Sequence, residues 1–176
     1  MTNPEQKLYE LIYSDSQYNY YGRSNHGKKH FNQIIGISPT SILDVGCGHN
    51  DFVQAVKDHN IYAVGVDFAC DSADIVADIL DLPFIDKEFD LITAWDTLEH
   101  LLEDQVAAAF IEMKRVSYRF AFTIAYELAS TPPPKEFKNH NLHQCVHPAS
   151  WWHDLISQYG TVSSHQDGLW LGEWNE

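Results

Sequence analysis

The chain has 176 residues, 44% of them hydrophobic, which predicts one folded domain with a single core. Its 25 acidic residues outnumber 11 basic ones, and the resulting charge of −14 argues against broad binding to the phosphate backbone of nucleic acids. No stretch of about 18 apolar residues is present to span a membrane, and the polar N-terminus does not resemble a signal peptide. The three scattered cysteines indicate free thiols in a reducing compartment, so we expect a cytoplasmic protein.

Hydrophobic periodicity predicts alternating helices and strands along the chain. Two helices, over residues 4–13 and 28–35, precede a first strand at 41–45 that is apolar enough to be buried on both faces. Further helices are predicted at 51–59, 103–115 and 148–159, and further strands at 61–66, 75–77, 89–94, 119–125, 161–165 and 169–174. This alternation predicts an α/β fold with a mostly parallel sheet.

Acidic residues follow the first three predicted strands. Asp44 lies near the end of the first, Asp67 follows the second and Asp78 follows the third. Because ligands of parallel sheets bind at the carboxyl ends of the strands, these carboxylates are expected on one rim. Gly46 and Gly48 allow close approach of the backbone to a ligand, and an acidic residue placed like Asp67 can accept both hydroxyls of a ribose. The predicted ligand is a nucleoside derivative.

Two nucleoside cofactors compete for this rim. A nicotinamide dinucleotide favours G-x-G-x-x-G, with its pyrophosphate at a helix N-terminus. Here Asp51 stands where the third glycine is required, and Asp44 and Asp51 would repel a pyrophosphate. S-adenosylmethionine has no phosphate and carries an ammonium and a sulfonium, which acidic surroundings stabilise. The charges therefore favour S-adenosylmethionine.

Several segments in this order resemble class I S-adenosylmethionine-dependent methyltransferases, and are similar to the short forms of the ubiquinone-biosynthesis type. They are ILDVGCGHN from Ile42, VGVDFA from Val64 and DIVADILDLPFIDKEFDLITAWDTLEHL from Asp74, with a weaker match in HQCVHPASWWHDLISQYG from His143. The resemblance implies a Rossmann-like fold with a seven-stranded sheet and helices on both faces. It also implies that S-adenosylmethionine is the cofactor and S-adenosylhomocysteine the product.

The resemblance further implies a division of the single domain, residues 1–176, into three parts. A helical lid segment occupies 1–40, the cofactor-binding core 41–125, and the substrate-side loop, late helix and last strands 126–176. Nothing in these segments identifies the methyl acceptor, which we expect to be a small molecule.

The resemblance assigns cofactor contacts to ten positions. The loop after the first strand lines the methionine end, Asp67 holds the ribose, and Asp78 accepts a hydrogen bond from adenine beside Ile79. Trp95 and Asp96 face the methionine and the transferred methyl group. The set is Asp44, Gly46, Cys47, Gly48, Asp67, Phe68, Asp78, Ile79, Trp95 and Asp96.

Simpler structural roles remain open for some of these residues. Asp67 and Asp96 can cap helices, Asp78 can stabilise a turn, and Cys47 can be a small filler residue. Glu99 and His100, in the LEHL segment, are expected to close the site and pair locally rather than to catalyse.

Two departures from the family pattern lead to further expectations. Asn50 replaces the usual third glycine, and because asparagine tolerates left-handed backbone and caps helices, we expect the loop to keep its shape. Only ten residues separate Asp67 from Asp78, so the usual intervening helix is expected to shorten to a turn.

A histidine-rich run, NHNLHQCVHP, offers ligand types for zinc at His140, His143, Cys145 and His147. In a strand only alternate residues share a face, so the last three can converge and His140 cannot. The spacing is tight, so we predict no metal site. We favour His143 and His140 as catalytic general bases and His147 as a substrate contact, with an exposed polar loop as the alternative.

Tyr21 and His26 precede the first strand, where a lid is expected, and are further candidates for substrate binding. The predicted function is methyl transfer from S-adenosylmethionine to a small-molecule acceptor, without a membrane partner. A degenerate scaffold that binds the cofactor, or nothing, without turnover is one alternative. A nicotinamide oxidoreductase is the other, and the missing glycine counts against it.

Overall fold

The computed structural model describes residues 4–15, 25–130 and 132–176. The helices are α1 (Pro4–Ser14), α2 (Asn25–Gly36), α3 (Asp51–Lys57), α4 (Glu103–Val116) and α5 (Ala149–Ile156). The strands are β1 (Ser41–Val45), β2 (Tyr62–Asp67), β3 (Ile75–Val76), β4 (Phe89–Trp95), β5 (Ser117–Thr123), β6 (Gly160–Gln166) and β7 (Leu169–Trp174). A short 3₁₀ turn, Leu98–His100, follows β4.

The seven strands form one sheet in the order β3-β2-β1-β4-β5-β7-β6. Strands β1 to β5 run parallel to one another, whereas β7 is antiparallel to both β5 and β6. The chain runs outward from β1 to β3 and then returns to place β4 on the other side of β1. Strand order reverses there, and sheets of this kind bind ligands at such a point, at the carboxyl ends of β1 and β4.

Helices cover both faces of the sheet, as predicted. On one face α4 and α5 pack Phe110, Met113 and Trp152 against the strands. On the other face α2 and α3 contribute Ile34 and Phe52. Because both faces are covered, strands such as β1 are almost wholly apolar, which explains why the sequence predicted them well.

The N-terminal helix belongs to neither layer. Leu8 and Ile12 of α1 are buried together with Leu142 from the loop before α5. The two segments expected to cover the site, α1 and this loop, therefore pack against each other.

Element boundaries differ from the predictions by a few residues. The β5 strand begins at Ser117, two residues early, because α4 runs into it without a loop. The Ser117 hydroxyl donates to the Met113 carbonyl (2.7 Å) and accepts from the Trp174 indole (2.8 Å), which fixes this junction. As expected, residues 68–74 form turns rather than a helix.

All three cysteines are buried free thiols, as predicted. Within the described ranges, no helix has the length and apolar character needed to cross a membrane.

Candidate functional site

The loop between β1 and α3 has a left-handed backbone at alternate positions. Gly46, Gly48 and Asn50 have φ values of 69°, 53° and 65°. A Cβ added to Gly46 would lie 2.5 Å from two side-chain atoms of Thr97, so this position requires glycine for space as well as for φ. The loop keeps its shape with Asn50, as expected, but the Asn50 side chain does not cap α3. Glycine at positions 46 and 48 therefore leaves no side chain between this backbone and a ligand.

Asp44 lies on β1 next to this loop and is fully buried. One carboxylate oxygen accepts a hydrogen bond from the Thr93 hydroxyl at 2.6 Å, and the other has no partner in the described structure. Burial, with a smaller effect of the Asp67 charge, raises the pKa of Asp44 to about 8 despite the Thr93 bond. Because an unpaired buried carboxylate is costly, this oxygen is suited to a ligand cation or N–H donor.

Asp67, at the end of β2, is held by four hydrogen bonds. One oxygen accepts from the backbone N–H groups of Ala69 (2.9 Å) and Cys70 (3.0 Å). The other accepts from the Gly48 N–H and from the Tyr13 hydroxyl, each at 3.0 Å. The carboxylate therefore joins the glycine loop to the turn after β2 and to α1.

The α1 helix lies across this rim of the sheet. Its Tyr9 ring is 5.3 Å from the Phe68 ring, and its Tyr13 ring is 5.6 Å from His49. The Gln6 side-chain amide donates to the Phe68 carbonyl at 3.1 Å. Burial, and then the nearby Asp67 charge, raises the pKa of Tyr13, so its hydroxyl stays protonated and donates. Hence α1 covers the candidate ribose position.

Asp78 is exposed after β3, beside the buried Ile79. One Asp78 oxygen accepts from the Leu80 N–H at 3.0 Å, so this residue has the turn role considered above. Its contact with adenine stays a prediction.

Trp95 and Asp96 point in different directions at the end of β4. The Trp95 indole packs on Phe52, with ring centroids 5.0 Å apart, inside the core on the α2 side. Asp96 has a φ of 49°, accepts from the Thr123 hydroxyl at 2.9 Å and is bonded to the His26 imidazole. Burial raises the Asp96 pKa, but the bonds from His26 and Thr123 outweigh burial and leave it lowered. The structure thus pairs a predicted cofactor residue with a predicted substrate residue.

Glu99 and His100 follow in the 3₁₀ turn and are extensively bonded. A Glu99 carboxylate oxygen accepts from the Ala125 N–H at 3.0 Å, and its other oxygen is buried without a partner in the described structure. The His100 Nδ1 lies 2.8 Å from the Leu142 carbonyl and 2.6 Å from the Tyr9 hydroxyl. Burial raises the Glu99 pKa well above normal and lowers the His100 pKa to about 4. This agrees with the expected closing role.

The histidine-rich run does not form a strand, the geometry in which three of its side chains could have shared one face. Cys145 is buried in the main core, and His147 stacks on Trp151 at 4.0 Å and bonds to Glu103 at 2.9 Å. His140 lies 3.5 Å from Glu5 on α1. Alternation along a strand therefore does not relate His143, Cys145 and His147.

His143 takes a different position, with its ring perpendicular to the His100 ring and 4.9 Å from it. General-base roles for His143 and His140, and a substrate role for His147, stay predictions. Tyr21 lies outside the described residues.

Sequence reasoning missed Tyr13, Tyr9 and Thr93. Tyr9 and Tyr13 are one helical turn apart on α1. A search for tyrosines that share one side of this predicted lid helix would have identified them. Thr93 carried no comparable signal, because its partner Asp44 lies 49 residues away.

Comparisons with known proteins bear on this geometry. A family described as a methyltransferase domain matches residues 43–119. An uncharacterised protein of Methanocaldococcus jannaschii is 36% identical over 66 residues, which make up 34% of this chain and 29% of that protein. The chain therefore matches less than a third of that relative's length.

Two solved structures share the fold over almost the whole chain. Magnesium protoporphyrin IX methyltransferase from Synechocystis PCC 6803, with bound SAM, has a TM-score of 0.66 at 11% identity and covers 98% of this chain and 92% of its own. Burkholderia thailandensis 1,6-didemethyltoxoflavin-N1-methyltransferase, with bound S-adenosylhomocysteine, has a TM-score of 0.65 at 13% identity. The match covers 100% of this chain and 92% of that protein's chain. At these identities the likeness shows a shared fold.

The family match covers the strands and loops of the rim described above. The chain therefore has the fold of these two methyltransferases, and its residues 43–119 match the methyltransferase-domain family.

Proposed function

We propose that this protein transfers a methyl group from S-adenosylmethionine to a small-molecule acceptor. The observation that carries the proposal is the unpartnered oxygen of buried Asp44 beside the left-handed loop at Gly46 and Gly48. A ligand that carries a positive charge and lies close to the loop backbone would satisfy both features at once. A pyrophosphate offers neither a cation nor an N–H donor to the buried Asp44 oxygen.

The rim residues fit S-adenosylmethionine from one end to the other. We assign Asp44 to stabilise the positive methionine end, Asp67 to accept ribose hydroxyls, and Asp78 with Ile79 to contact adenine. When bound, the cofactor supplies an electrophilic methyl group on its sulfonium. The chain then lowers the barrier by positioning the acceptor in line with the methyl and by excluding water under α1.

The acceptor is proposed to be small because α1 and the loop before α5 enclose the rim, and because the net charge of −14 disfavours nucleic acid. His26, bonded to Asp96, is the imidazole proposed to contact the acceptor or take its proton.

Turnover is tested by incubating the protein with S-adenosylmethionine and a panel of phenols, amines, carboxylic acids and thiols. The readout is S-adenosylhomocysteine released above the no-acceptor control. We expect acceptor-dependent release with at least one class. Binding of the cofactor without release for any class would favour the alternative below.

A cofactor-binding scaffold is the second candidate function, and one contact favours it. The Tyr13 hydroxyl occupies an Asp67 oxygen that ribose is proposed to use. A scaffold held closed in this way would bind S-adenosylmethionine weakly and would not turn over.

The Tyr13 contact leads to a prediction on cofactor affinity. Tyr13→Phe removes the hydroxyl that competes for Asp67 and leaves the ring packed against His49. We expect S-adenosylhomocysteine to bind about 3- to 10-fold more tightly, the value of one ordinary hydrogen bond. Calorimetric titration measures the change, and Tyr118→Phe, on exposed β5 surface, is the matched control. Weaker binding by Tyr13→Phe would show instead that Tyr13 positions Asp67 for the cofactor.

Asp44 leads to a prediction on pH. With a pKa of about 8 in the protein alone, Asp44 is mostly protonated at pH 7, and a bound cation favours its ionised form. Cofactor binding should therefore release protons, and affinity should rise by up to about tenfold per pH unit up to pH 8. Calorimetry in buffers of different ionisation enthalpy measures the released protons. The Asp44→Asn variant, measured in the same buffers, gives the protons released by titration of the ligand itself, and these are subtracted. If this variant releases as many protons as the wild type, the prediction is contradicted.

A further inference from the structure

We propose that Glu99, His100 and His143 form a binding site for a divalent transition-metal ion next to the cofactor rim. One potential ligand atom from each side chain lies within 4.8 Å of the other two. Two imidazoles and one carboxylate are a donor set that binds zinc and neighbouring transition metals. This group differs from the one that the spacing of the histidine-rich run suggested.

Backbone hydrogen bonds fix the three residues relative to one another. Glu99 and His100 come from the turn after β4, and His143 from the loop before α5. The Glu99 carbonyl accepts from the N–H groups of Gln144 (2.8 Å) and Cys145 (2.9 Å). The loop is thereby attached to the turn on the C-terminal side of His143, so the juxtaposition does not depend on side-chain positions alone.

Both imidazoles are oriented by backbone carbonyls. The His100 Nδ1 is 2.8 Å from the Leu142 carbonyl, and the His143 Nδ1 is bonded to the Glu127 carbonyl. Carbonyls accept only, so these contacts favour a proton on each Nδ1, with the Tyr9 hydroxyl oxygen beside the His100 Nδ1 as a second acceptor, and a lone pair on each Nε2. A ligating histidine in a metal site characteristically donates its other ring N–H to such a partner.

The carboxylate provides an independent observation. Glu99 is fully buried, and only one of its oxygens accepts a hydrogen bond, from the Ala125 N–H. The second oxygen has no partner within residues 4–15, 25–130 and 132–176. A buried carboxylate oxygen left unpaired is costly, and a cation held between it and two imidazoles removes that cost.

The chemistry of the group defines the class of ion. Metal–nitrogen and metal–oxygen bonds of about 2.1 Å place neighbouring ligands roughly 3.5 Å apart, so side-chain shifts of about 1 Å suffice to close the site. Two nitrogen donors favour Zn²⁺, Co²⁺ or Ni²⁺ over Ca²⁺ and Mg²⁺, which prefer oxygen. Three protein ligands leave at least one position open, as in zinc sites that bind an exchangeable ligand.

The open position suggests a use that rests on the proposed function. An acceptor hydroxyl bound to the ion would lose its proton more readily and be held beside the cofactor rim. The acceptor class would then be molecules with an ionisable hydroxyl group. Metal binding itself does not depend on this use, and neither does its test.

The test is titration of the full chain, stripped with a chelator, with Co²⁺ and with Zn²⁺. Calorimetry gives the stoichiometry, and the visible absorption of Co²⁺ reports nitrogen and oxygen ligation. We expect one ion per chain, with affinity at least tenfold lower in His143→Ala and in Glu99→Gln. His153→Ala, which removes an exposed histidine from α5, is the matched control and should bind like wild type.

Folding and function are separated from metal binding in two ways. His143 is only partly buried, so His143→Ala should keep the wild-type circular dichroism spectrum even if Glu99→Gln does not. S-adenosylhomocysteine titration of the metal-free protein tests the cofactor site independently. Absence of saturable Co²⁺ and Zn²⁺ binding would overturn the metal proposal, as would binding that His147→Ala removes and His143→Ala does not.

Discussion

Asp67→Asn is expected to lower affinity for S-adenosylmethionine at least about 100-fold, equivalent to roughly 2.8 kcal/mol. The wild-type carboxylate accepts from two N–H groups through one oxygen and from Gly48 and Tyr13 through the other. An amide in its place directs an NH₂ group at one of these donor sets and removes an acceptor for ribose. Charge-assisted hydrogen bonds are lost on both sides of the site, so the effect exceeds that of one ordinary bond.

Equilibrium dialysis with labelled S-adenosylmethionine measures this loss. Asp104→Asn, which removes an exposed carboxylate from the first turn of α4, is the charge-matched control and should bind normally. A thermal melt of each variant separates loss of the site from loss of the fold. Binding by a folded Asp67→Asn variant within threefold of wild type would show that ribose is held elsewhere.

Gly46→Ala is expected to lower the free energy of unfolding by about 3 kcal/mol and to abolish cofactor binding. Two costs add at this position. The backbone φ of 69° is strained for any residue with a Cβ, and that Cβ would lie 2.5 Å from Thr97 atoms. Thr97 is held by its own hydroxyl bond to the Val45 carbonyl (3.3 Å), so it does not move away freely.

Gly168→Ala is the matched control for this variant. Its φ of 82° imposes backbone strain, but an added Cβ meets nothing within 4 Å. We expect it to cost only about 1 kcal/mol, with cofactor binding unchanged. Urea denaturation of both variants gives the two free energies. Equal losses would mean that strain alone accounts for the Gly46 effect and that the contact with Thr97 relaxes.

The parts of the site on regular elements could be predicted from the sequence. Asp44 and Asp67 occupy strand ends, and an apolar run followed by glycines fixes where a buried parallel strand stops. The left-handed conformation of Asn50 also followed from its chemistry, since asparagine tolerates positive φ. Local rules are sufficient here because the same few residues determine both the element and the position of the side chain.

The parts made by contacts between distant segments could not be predicted. Tyr13 reaches Asp67 across 54 residues, and His143 meets His100 through a loop with no hydrophobic period. A strand would have placed His143, Cys145 and His147 on one face, but this segment forms no strand. Packing of α1 against the loop through Leu8 and Leu142 determines these positions, and no local pattern encodes it.

Calorimetric titration of the wild-type chain with S-adenosylmethionine, S-adenosylhomocysteine and NADH tests the choice of cofactor most directly. We expect one site per chain with micromolar affinity for both sulfur nucleosides and no saturable heat with NADH. Saturable binding of NADH, with none of either sulfur nucleoside, would contradict assignment of the rim at Asp44, Gly46 and Asp67 to S-adenosylmethionine.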